Sequence, residues 1–160
     1  MLDHELLAGY LSDHLAGAVA GSQRMRRLAQ AERAAPDGPA LTAVAHEIDE
    51  DRATLERVIA VADITPSRAK VAAGCVAEKV GLLKTNGRWL RRSPLTSLVE
   101  LEALRMGVTG KVALWTALAR TSLARDFDFD ALAARGRHQL DVLEDAHRRR
   151  AGTVLETNHH

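Results

Sequence analysis

Leu41, Val44, Ile48, Asp51, Leu55, Val58 and Ala62 recur at steps of three and four residues, the period of one face of an α-helix. Such a stripe must be buried against another apolar face. Comparable stripes follow along the chain, with hardly any run that alternates at the period of a strand, so the expected fold class is all-α. The stripe carries a second constraint, because Asp51 stands in its middle and an unpaired charge is costly to bury. Glu78 and Glu102 interrupt later apolar stripes in the same way, and each of the three acids calls for a cationic partner.

Five helices are expected. The first runs from about Asp3 to Arg33, with Leu7, Leu11, Ala18, Met25 and Ala29 on one side. Pro36, Asp37, Gly38 and Pro39 turn the chain into the second, from about Leu41 to Ala62. Asp63 to Thr65 breaks it, and Pro66, with Thr65 as cap, opens a third helix to about Leu83. Residues 84–92, KTNGRWLRR, form an exposed connection, and Ser93 and Pro94 then begin the fourth helix, from Leu95 to about Arg120. That helix is apolar nearly all round and is expected to be the most buried. A capping cluster at Asp126 to Asp130 precedes the fifth, from about Ala131 to Arg150, with Leu132, Gly136, Leu140, Leu143 and His147 as its inward line. The short turns make helices one and two, and four and five, antiparallel neighbours. The long connection through helix three, which would span roughly 27 Å, makes helices two and four parallel.

At 160 residues and 46% hydrophobic, the chain can bury a core as one domain over 1–155, with 156–160 as a disordered tail or tag remnant that includes His159 and His160. A formal charge of +1 argues against a strongly basic nucleic-acid binder. The single cysteine, Cys75, excludes an internal disulfide and a thiolate zinc cluster. Asp3, His4 and Glu5 stand where a signal peptide would be basic, so a cytoplasmic location is expected. Glu100, Glu102, Arg105 and Lys111 inside the most apolar stretch argue against a membrane span.

Glu144-Asp-Ala-His147 on the fifth helix has the Glu-x-x-His spacing that puts two ligands on one helical face, and Glu102 lies on the fourth helix in the position of a lone carboxylate. With the single long crossover, these residues give most of the chain a resemblance to the ferritin-like superfamily, whose bundles hold a two-metal carboxylate site. The likeness implies a four-helix bundle with an additional crossover helix, and a core site at which Asp51, Glu102, Glu144 and His147 would hold iron or manganese for oxidase or storage chemistry. Counting from the turns brings Glu102 level with His147, and Asp51 within about 4.5 Å of the height of Glu102. Two departures weaken the ligand set. Thr54 stands three residues after Asp51 where the pattern requires His, and the first helix offers Ser22 at the required level, with His14 about two turns away. The excess of Arg over Lys also resembles bundle families of GC-rich bacteria and implies no activity.

The competing reading of the acids is a buried polar network of Asp51, Glu78, Glu102, Arg105 and Lys111, with Arg105 foremost because it is three residues from Glu102. This reading is favoured over metal. Lys84, Arg88, Trp89, Arg91 and Arg92 could hold a phosphate, a nucleic acid or a membrane surface, although a solvated turn with Trp89 packed back on the bundle is the simpler expectation. A helix-turn-helix likeness over residues 55–71 is rejected as a DNA reader, because its second helix is mostly Ala, Val and Gly. No nucleophile arrangement or phosphate-binding glycine loop is visible. The expectation is a non-catalytic binding or structural protein without cofactor, self-associating as a dimer.

Overall fold

The computed structural model describes residues 3–67 and 94–156. These residues form four long helices and one short 3-10 turn: α1 (His4–Ala31), α2 (Gly38–Val61), α3 (Pro94–Leu118), η1 (Ser122–Arg125) and α4 (Phe129–Leu155). No strand occurs among the described residues. Of the expected crossover helix only Pro66 and Ser67 are described, and neither is helical. Its remainder, with Cys75 and Glu78, lies outside the described residues, as does the basic turn with Lys84, Arg88, Trp89, Arg91 and Arg92.

Local chemistry fixes the helix ends. The Asp3 carboxylate accepts hydrogen bonds from the backbone N–H groups of Glu5 and Leu6, both at 3.1 Å, and Asp128 caps α4 by accepting from Ala131 N–H at 2.9 Å. The helix α2 starts three residues earlier than its apolar stripe, with a proline in its first turn. A Cβ on Gly38 would stand 2.5 Å from the Arg33 carbonyl oxygen, so only glycine permits this tight entry. At its other end Asp63 adopts φ 52°, and the N–H groups of Asp63 and Ile64 close back on the carbonyls of Ala60 and Ile59. That is a Schellman stop with an aspartate in the left-handed position where glycine is usual.

Cross-helix contacts give the directions. Glu102 with His147, Arg105 with Glu144 and Lys111 with Gln139 fall in opposite order along α3 and α4, so these helices are antiparallel. Asp37 with Arg149 and Asp51 with Arg135 make α2 and α4 antiparallel too. The helices α2 and α3 therefore run parallel.

Two apolar clusters fill the interior. One joins Leu11, Leu15, Leu55, Val58, Leu114, Trp115, Leu118 and Phe129, with the Trp115 and Phe129 rings stacked at 5.8 Å. The other joins Met25, Leu28, Leu41, Val44, Leu101, Leu104 and Leu143 at the opposite end. Each such side chain contributes roughly 1.5 to 3 kcal/mol by leaving water. The seam between α3 and α4 is tight at Gly136, where an added Cβ would meet Val112 Cγ2 at 2.6 Å. Among the described residues no helix is long and apolar enough to cross a membrane.

Candidate functional site: a buried carboxylate belt

Asp51 is 1% exposed and sits between the two apolar clusters. Its position on the α2 stripe makes burial unavoidable, and the neighbouring helices supply what the charge needs. Lys111 from α3 donates to Oδ2 of Asp51, and Gln139 from α4 donates to the same oxygen at 3.1 Å. Arg135, one turn before Gln139 on α4, donates twice to Oδ1 through its Nε at 3.1 Å and a terminal nitrogen. Four donors fill the roughly four lone-pair positions of a carboxylate.

The belt extends outward from this centre. Gln139, fully buried, accepts from Lys111 at 2.5 Å and donates to Glu47 at 2.9 Å, so both ends of its amide are engaged. Arg135 also holds Glu50 at 2.9 Å. On the α1 side Ser22 donates to Asp49, which Arg26 approaches at 2.8 Å. Burial would raise the Asp49 carboxyl, but these hydrogen bonds and the Arg26 and Arg52 charges outweigh it and hold the group below its usual range.

The two cations on Asp51 are not equivalent. Burial pushes the Lys111 ammonium below its ordinary pKa despite the pull of Asp51, and Arg135 adds to the push. Burial acts on Arg135 in the same direction, but its bonds and charge contacts with Asp51 prevail and its pKa rises. Arg135, a guanidinium that stays protonated and is 30% exposed at its side chain, is therefore the more secure counter-charge.

The remaining expected ligands lie elsewhere. Glu102 is not in the core: its side chain is 52% exposed and meets His147 Nε2 at 3.2 Å on the outer seam of α3 and α4. Arg105 does not neutralise Asp51 or Glu102 but bonds Glu144 at 3.3 Å, as the next rung of the same seam. Lys111, in direct contact with Asp51, stands nine residues after Glu102, which places Glu102 roughly 13 Å of helix rise away from Asp51 rather than 4.5 Å. The exposure of Glu102 has a rotational cause: Leu98, Leu101, Leu104 and Val108 face inward, and Glu102, about 100° round from Leu101, is turned to the flank. Asp51 thus joins neither Glu102 nor the Glu144 and His147 pair, and no group of three or more His, Cys, Asp or Glu side chains among the described residues could hold a metal.

Glu47, Glu50, Arg135 and Gln139 were not anticipated as members of the network. For Gln139 a signal existed, since Phe129, Ala133, Gly136, Gln139, Leu143 and Ala146, all buried, repeat at three- and four-residue steps. The expected inward line through Leu132, Leu140 and His147 follows the edge of that face instead, where Leu132 and Leu140 are only partly buried.

Beside the belt, α1, α2 and α3 enclose a cleft of about 370 Å³ whose walls include Asp51, Lys111, Trp115 and His14. Burial lowers the pKa of His14 against the opposing pull of Asp13, and its ring meets Tyr10 edge-on at 4.6 Å. Compared with protein-family models, curated proteins and solved structures, the chain matches none of them.

Proposed function

We propose that this chain is a ferritin-like helical bundle that serves as a non-catalytic binding or structural protein. The carboxylate where such a bundle would hold metal is here neutralised by cations of its own. The observation that supports this most is the saturation of Asp51. With Lys111, Arg135 and Gln139 on its two oxygens, a metal could bind only by displacing two cations and an amide. The belt also gives the bundle a reason to keep charge in its interior: a polar layer between two apolar clusters fixes which helices meet and at what height. Self-association as a dimer belongs to the same reading, supported by Leu95, Val99 and Met106, exposed along one side of α3.

The test is elemental analysis of protein purified without chelator, together with light scattering for mass. The expected result is less than a tenth of an equivalent of iron, manganese or zinc, and a dimer. Stoichiometric metal that disappears in Asp51→Asn or in His147→Gln would overturn the reading in favour of metal chemistry.

A further inference from the structure

We draw no further inference here: the strongest candidate, the apolar cleft between α1, α2 and α3, carries nothing beyond its shape, because among the described residues no unpartnered polar group is aimed into it and nothing shows what covers it.

Discussion

Arg135 on α4 closes on Asp51 of α2 across 84 positions of sequence, giving two donors to one carboxylate oxygen, with its Nε at 3.1 Å. Lys111 and Gln139 take the other oxygen. Removing the carboxylate leaves two cations facing an emptied polar centre, so Asp51→Ala is expected to cost about 3 to 5 kcal/mol, the range for breaking a buried pair by removing one partner. The two cations should differ. Burial already works against the Lys111 charge, and methionine can keep its apolar stem, so Lys111→Met should cost less than Arg135→Ala. Urea unfolding of the three variants checks the order, and a larger loss in Lys111→Met than in Arg135→Ala would refute it.

The glycines separate into two physical classes that a substitution series can resolve. At Gly136 an added methyl would stand 2.6 Å from Val112 Cγ2, and a β-branched side chain on a packed helix has little room to give. Gly136→Ala should therefore destabilise by about 1 to 3 kcal/mol, the usual cost of overpacking. Gly9, inside α1, has nothing within 4 Å of the same position. There Gly9→Ala should add about 0.5 to 1 kcal/mol, because only the helix propensity changes. Thermal melts of the two variants should move in opposite directions.

How much of this was legible in the sequence depends on whether a residue's setting is local. The helix α2, its inward stripe and the burial of Asp51 follow from periodicity alone, and the capping cluster at Asp126 to Asp130, of which Asp128 is the cap, follows from residue type. The levelling of Glu102 with His147 follows from counting outward from one short turn. The height of Asp51 against α3 did not, because it depends on how far the connection between Ser67 and Pro94 lets α3 slide, which no count of residues fixes. The rotation of α3 was also hidden, since a helix apolar nearly all round has no marked inward face and Glu102 could be set on either side of Leu101. Arg135 escaped notice for a related reason. An arginine one turn from the buried Gln139 reads as solvent-facing until a partner helix brings a carboxylate within its reach.

His14 should make stability depend on pH in a defined direction. Burial lowers its pKa in the folded chain below the ordinary 6.5, with Asp13 opposing, so the folded state binds fewer protons there than the unfolded state. Stability conferred by neutral His14 is thus present above the unfolded pKa and lost as pH falls through 6.5 toward the folded value, after which the loss levels off. The difference in unfolding free energy between the unaltered chain and His14→Gln isolates this group from the carboxylates. That difference should shift against the unaltered chain on acidification through pH 6.5, and the His14 ring proton should titrate below that pH in NMR. A midpoint at or above it would contradict the burial argument.

The outer seam of α3 and α4 should respond quite differently from the belt, although it contains the same residue types. Glu102 with His147 and Arg105 with Glu144 are successive rungs, and the side chains of the two acids are 52% and 50% exposed. Water solvates the two carboxylates nearly as well as their partners do, side-chain entropy opposes the pairing, and salt screens what attraction is left. Glu102→Ala should accordingly cost less than about 1 kcal/mol, and the loss should shrink in high salt, in contrast to the several kcal/mol expected at Asp51. Chemical unfolding at low and high ionic strength, with Asp51→Ala measured alongside, checks both points. A loss at Glu102 as large as that at Asp51, and insensitive to salt, would mean that Glu102 is buried after all.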